Sequence, residues 1–107
     1  MRISIKERHT AVTDAVKDYA KEKAGRLQRY YDRISAIEVL FDGAHNQGQV
    51  EMIVMVDGAD DIVASEQNGD FLAGIDLVYA KIERQITRHK EMLRNRKHGT
   101  KNPDKIQ

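Results

Sequence analysis

The sequence predicts an α+β fold, a two-layer βαβββα sandwich in which two helices cover one face of a four-stranded, mostly antiparallel sheet. Three observations lead there. Apolar residues recur at steps of three and four near both ends of the chain, and with period two in between. Turn residues punctuate the period-two region at Gly43 to Gly48, at Asp57-Gly58 and at Asn68-Gly69-Asp70. The connections are short, which favours antiparallel neighbours whose apolar side is covered by the helices.

Arg2 to Lys6 alternates polar residues with Ile3 and Ile5 and reads as a short strand, and Glu7 to Val12 follows as a polar loop. Thr13 is placed to cap a helix with Asp14 in its first turn. Val16, Ala20, Ala24, Leu27 and Tyr31 form its apolar face, flanked by Tyr19 and Tyr30. From Ile34 the period changes: Ile37, Val39 and Phe41 alternate with Glu38, Leu40 and Asp42, and after the Gly43 to Gly48 turn Val50, Met52, Val54 and Val56 alternate in their turn. Asp57-Gly58 signals a hairpin into a shorter strand, Ile62 to Glu66. Asp70 then caps a second helix, with Phe71, Ile75, Val78, Tyr79, Ile82, Ile86, His89 and Leu93 on one stripe and an end near Arg94 to Arg96. One domain over residues 1–95 follows. Residues 96–107, which hold the sole proline and no periodicity, are expected to form a disordered tail.

A chain of 107 residues buries about two thirds of its unfolded surface in one core and needs no staple. Cysteine is absent, which excludes thiolate metal sites, redox motifs and cysteine nucleophiles and agrees with a reducing cytoplasmic location. No apolar run approaches the roughly 20 residues of a membrane span, and the first residues lack the core of a secretory signal, so no membrane role is expected.

Charge is strongly segregated. Residues 1–33 hold nine Lys/Arg against five Asp/Glu, residues 34–70 hold none against eight, and residues 71–107 hold nine against four. A formal net charge of +1 thus conceals two basic regions around an acidic middle, a distribution that attracts a polyanion on one side and repels it on another. On the second helix Lys81, Arg84 and Arg88 fall within about 60 degrees of one another, opposite the apolar stripe. Gln85 flanks this ridge, and His89, Lys90, Arg94, Arg96 and Lys97 prolong the positive charge. On the first helix Arg26, Arg29 and Arg33 make a second ridge, with Lys23 at its edge beside the apolar face. Side by side on a sheet, the helices would hold the ridges roughly 10 Å apart, a spacing suited to the phosphates of folded RNA. Forked guanidiniums match phosphate oxygens, and Gln85 suits a base edge or a 2′-hydroxyl. The competing reading is a solvated helix surface whose late positive charge merely answers the macrodipole. His89, on the apolar edge, fits half-buried packing as well as it fits RNA. Tyr30 is the best placed of the tyrosines to stack on a base.

Other chemistry finds little support. Asp57, Asp60 and Asp61 lack the closing glutamate of a calcium loop and read as a hairpin turn. His9, His45, His89 and His98 have no ligand spacing, and no nucleophile elbow or phosphate-cradling glycine loop occurs, so neither cofactor, metal nor enzymatic activity is expected.

Several stretches resemble the ribosome hibernation factors, the family of hibernation-promoting factor and ribosome-associated inhibitor A, also called sigma-54 modulation proteins. They are Val12 to Val16, Leu27-Gln28-Arg29-Tyr30-Tyr31-Asp32-Arg33-Ile34, Val63-Ala64-Ser65, Asp70 to Asp76 and, most specifically, Lys81-Ile82-Glu83-Arg84-Gln85-Ile86-Thr87-Arg88-His89-Lys90. The likeness runs from about Arg2 to Arg94. It implies the same βαβββα fold, similar to double-stranded RNA-binding domains, and a factor without catalytic activity. Such a factor would bind small-subunit rRNA in the mRNA and tRNA channel and block translation under stress. By the same resemblance Lys23, Arg26, Arg29, Lys81, Arg84, Arg88 and Lys90 are expected rRNA contacts. The chain looks like a short form without the C-terminal dimerisation domain, expected to be a monomer off the ribosome and open to a ribosome-dimerising partner factor. Gly25 and Gly74, inside the helices, depart from good helix composition and suggest close packing. Two other readings stand beside this one: a generic double-stranded RNA module, and a protein-interaction module whose acidic sheet, with Glu38, Glu51 and Glu66, docks a basic regulator.

Overall fold

The computed structural model describes the backbone of residues 2–97 and the side chains of residues 2–94. Its elements are β1 (Arg2–Arg8), α1 (Asp14–Tyr30), β2 (Ile34–Asp42), a 3₁₀ turn (Ala44–Asn46), β3 (Gln49–Val56), β4 (Ile62–Gln67) and α2 (Phe71–Lys97). The sheet order is β1-β2-β3-β4. β1 pairs parallel to β2, while β2, β3 and β4 pair antiparallel. This is the βαβββα α+β architecture the periodicity predicts.

Period-two alternation sends Ile37, Val39, Phe41, Val50, Met52, Val54, Ile62 and Ala64 to one side, where they meet Ala20, Ala24 and Leu27 of α1 and Ile75, Val78, Ile82 and Ile86 of α2. Among the described residues no charged side chain is buried with them, and the one buried side-chain polar atom without a hydrogen-bond partner is the Tyr31 hydroxyl. The helix starts follow from their caps. Thr13 Oγ1 accepts from the Val16 amide at 3.2 Å, and Asp70 Oδ1 accepts from Leu72 and Ala73 at 3.0 and 3.4 Å.

Three details differ from expectation. β1 continues to Arg8, because parallel pairing carries it along β2 as far as Asp42, where Arg8 meets the carboxylate at 3.5 Å. The α2 backbone continues through Lys97, past the expected boundary at 95, while residues 98–107 of the expected tail lie outside the described residues. The two helical glycines also part company. A Cβ on Gly74 would stand 2.8 Å from Val50 Cγ2, so α2 lies on β3 at a distance only glycine allows, whereas a Cβ on Gly25 meets nothing within 4 Å. Gly25→Ala should therefore stabilise by about 0.5–1 kcal/mol through helix propensity. Gly74→Ala should destabilise by about 1–3 kcal/mol through overpacking, and Val50→Ala should relieve it. Urea midpoints of the two variants should move in opposite directions.

The sheet face away from the helices is not the acidic surface that segregation suggested. β1 places Arg2, Lys6 and Arg8 on that face beside Glu38 and Asp42, with Lys6 3.6 Å from Glu38. Glu51 shares the face, but Glu66 does not: it lies opposite buried Val50, on the helix side. Cations from the first eight residues thus offset the acids of β2. At one corner Asp42 accepts from the Ala44 amide at 2.9 Å and lies 3.3 Å from His9 Nδ1. The amide bond above all holds its carboxyl below the usual carboxylate range; burial opposes it, and His9 and Arg8 add to the lowering. A lowered folded-state pKa contributes stability that is whole above the ordinary aspartate pKa and lost as pH falls through the lowered value. The melting difference between wild type and Asp42→Asn should therefore hold constant at neutral pH and shrink only on the acid limb.

Candidate nucleic-acid interface

The helices lie side by side on one face of the sheet and run parallel, because β2 and β4 point the same way and each helix returns against its strand. Two bonds fix their register. The Tyr19 hydroxyl donates to Asp76 Oδ1 at 2.5 Å, and the Tyr30 hydroxyl shares a hydrogen bond with Thr87 Oγ1. Both pairs are 57 residues apart, so three turns of α1 keep step with three turns of α2. Asp76 acts strongly enough on Tyr19 to raise its pKa, chiefly through that hydrogen bond.

Lysines complete this clamp. Lys23 Nζ sits 4.8 Å from the centroid of the Tyr79 ring, 5.6 Å from that of Tyr19 and 3.6 Å from Asp76, and its side chain is only 16% exposed. Lys90 Nζ lies 4.4 Å from the Tyr30 centroid and donates to the Tyr30 carbonyl at 3.3 Å, placing a cation on the C-terminal end of α1. Sequence periodicity gave no sign of this clamp. Its only trace is the shared separation of 57, recognisable once the partners are known.

Arginines behave differently. Arg84 and Arg88, one turn apart on the outer side of α2, are exposed and line a groove of about 490 Å³ with Tyr30, Ala80, Glu83, Thr87 and Glu91. Arg26 and Arg29 belong to α1 and do not line this groove; the Tyr79 hydroxyl pKa is raised, chiefly by burial, and their charges oppose that rise only in part. Arg26 also pairs with Glu22 at 3.1 Å, one turn back, an exposed contact of small worth. Among the described residues Arg29, Arg33, Arg84, Arg88 and Arg94 have no ion-pair partner. The groove is not uniformly positive, since Glu83 and Glu91 share it.

Four of the expected contacts lie off this seam. Lys81 turns towards β4, with Nζ 2.5 Å from Glu66 and 3.1 Å from the Ser65 carbonyl, and Gln85 donates to the Val63 carbonyl at 3.1 Å. Arg33, in the turn after α1, and His89 line a second cavity of about 550 Å³ with Tyr31, Asp57, Asp60 and Asp61. His89 packs edge-on to Tyr31, centroids 5.7 Å apart, which is the half-buried packing role open to it from its place on the helix. Tyr30 is 38% exposed, but Lys90 covers its ring and Thr87 holds its hydroxyl. Among the described residues no group of three or more His, Asp or Glu is placed to hold a metal ion, and no helix is long and apolar enough to cross a membrane.

Fold and surface together define an α+β domain with its helices on one side and unpaired guanidiniums along their seam. The chain belongs to the sigma 54 modulation protein / S30EA ribosomal protein family, whose model matches residues 3–94. It is 36% identical over 104 residues to a ribosome hibernation promoting factor of Azotobacter vinelandii, covering 97% of this chain and 96% of that one. A Pseudomonas putida protein of the same name is 32% identical over 91 residues, covering 85% of this chain and 88% of its own. A Staphylococcus aureus ribosome hibernation promotion factor is 32% identical over 100 residues, and there this chain spans about half the relative, 52%. Among solved structures, a ribosomal subunit interface protein from Coxiella burnetii superposes with a TM-score of 0.77 at 25% identity, covering 85% of this chain and 99% of that one. The N-terminal domain of Thermus thermophilus Protein Y gives 0.71 at 30% identity, covering 83% and 99%.

Proposed function

We propose that this protein is a ribosome hibernation factor that binds small-subunit rRNA through the α1–α2 seam and occupies the path of mRNA and tRNA. The observation that carries the reading is the pair of exposed guanidiniums, Arg84 and Arg88, on the groove beside Tyr30 of α1, in a chain whose relatives are named for ribosome hibernation. Arg84 and Arg88, without ion-pair partners among the described residues, keep their forked donors for phosphate oxygens. Inhibition is steric: no bond is made or broken, and the domain excludes other ligands by its bulk. On this reading the protein works in the cytoplasm, on the ribosome, which the ribosome-associated names of its relatives support.

Phosphate contacts release counterions, so the logarithm of the binding constant should fall with the logarithm of salt concentration by about 0.7–0.9 per phosphate neutralised. The test is sedimentation of purified protein with small subunits, followed by competition. Comigration that mRNA with initiator tRNA displaces supports the channel. Displacement by any long RNA duplex but not by those ligands would instead indicate a generic duplex binder, and absence of comigration would refute the reading.

A further inference from the structure

β4 is an edge strand, and its outward backbone groups would ordinarily be free. They are not. Opposite Ile53 and Glu51, Val63 and Ser65 turn their carbonyls away from β3, and both are occupied by side chains of α2: Gln85 Nε2 on Val63 and Lys81 Nζ on Ser65, each at 3.1 Å. The match is geometric. Four residues of helix rise about 6 Å and two residues of strand about 6.6 Å, so residues i and i+4 of α2 reach alternate carbonyls of the antiparallel strand beside it. Continuing the same row sets His89 against Asp61, where the strand has ended and both line the cavity there. Lys81 also pairs with Glu66 at 2.5 Å, which holds the ammonium over the edge.

We infer that Lys81 and Gln85 seal the β4 edge, and that the surface they close is a strand-addition interface for a second copy of this chain. The outward groups of this edge, the two covered carbonyls with their neighbouring N–H groups, are self-complementary. About a two-fold axis at Ala64, the outward N–H and C=O of Val63 would meet those of Ser65 in the other copy, extending the sheet across the axis in an isologous pair. Val63, 44% exposed, would gain cover from its neighbour, and each Lys81 could exchange its own Glu66 for that of the partner. The inference is independent of RNA binding, because the seal is made of bonds within the free protein. It gives the two residues a role distinct from that of Arg84 and Arg88, for which no bond to β4 occurs among the described residues.

The test is analytical ultracentrifugation of the purified full chain. Wild type and Arg84→Ala/Arg88→Ala should sediment at monomer mass, and Lys81→Ala/Gln85→Ala should shift with concentration towards twice that mass. Adding Ser65→Pro to the double variant deletes an outward amide of the edge and should restore the monomer mass. Should the double variant not fold, Lys81→Ala and Gln85→Ala singly carry the same test, with association at higher concentration. The inference is overturned if these variants stay monomeric, if Ser65→Pro leaves the association intact, or if wild type already pairs.

Discussion

Arg84→Ala/Arg88→Ala is expected to lower small-subunit affinity at least about 100-fold and to reduce the salt slope by about 1.4–1.8, that is about 0.7–0.9 for each phosphate no longer neutralised. Both guanidiniums are exposed on the outer side of α2, and neither has an ion-pair partner among the described residues, so their removal costs the fold little. Hydrogen bonds to charged groups contribute about 1.5–3 kcal/mol each, and two of them suffice for the stated factor at about 1.4 kcal/mol per tenfold. Sedimentation of the variant with small subunits at several salt concentrations, beside its thermal melt, reads both quantities. Unchanged affinity with an unchanged melt would make the groove ordinary solvated surface. The pair is preferable to any combination that includes Lys81, because loss of that ammonium also strips the Ser65 carbonyl and Glu66.

Phe41→Ala should carry the largest stability loss, about 3–5 kcal/mol. Phe41 has no exposed surface, lies on the helix face of β2 between β1 and β3, and meets the Phe71 ring at a centroid distance of 5.2 Å. Its deletion leaves a void beneath the first turn of α2 that neighbouring β-branched side chains, stiff at χ1, cannot fill. For a domain of this size the melting temperature should fall by at least about 12 °C. A drop of only a few degrees would mean that the helix layer settles into the void.

The elements and their faces were legible because each depends on local period: 3.6 for the helices, two for the strands. The core stripe of α2 and the outward direction of Arg84 and Arg88 follow from rotation by 100 degrees per residue, a property of the helix alone. The same arithmetic sent Lys81 outward with them. Four methylenes let its ammonium swing to the β4 edge, and the partner that draws it there, Ser65, lies 16 residues upstream at a register no local pattern encodes. Gly25 and Gly74 looked alike in the sequence, and only the approach of Val50 to one of them separates tight packing from open space.

Sequence alone determined the order of elements, the residues that make the core and the split of charge into basic ends and an acidic middle, since all three are read residue by residue along one chain. Tertiary structure decided which cations remain available. Parallel pairing of β1 with β2 laid Lys6 and Arg8 against Glu38 and Asp42, and the 57-residue register drew Lys23 and Lys90 onto tyrosines between the helices. The physical reason is reach: an ion pair forms within about 4 Å, a distance that folding imposes on residues far apart in the chain.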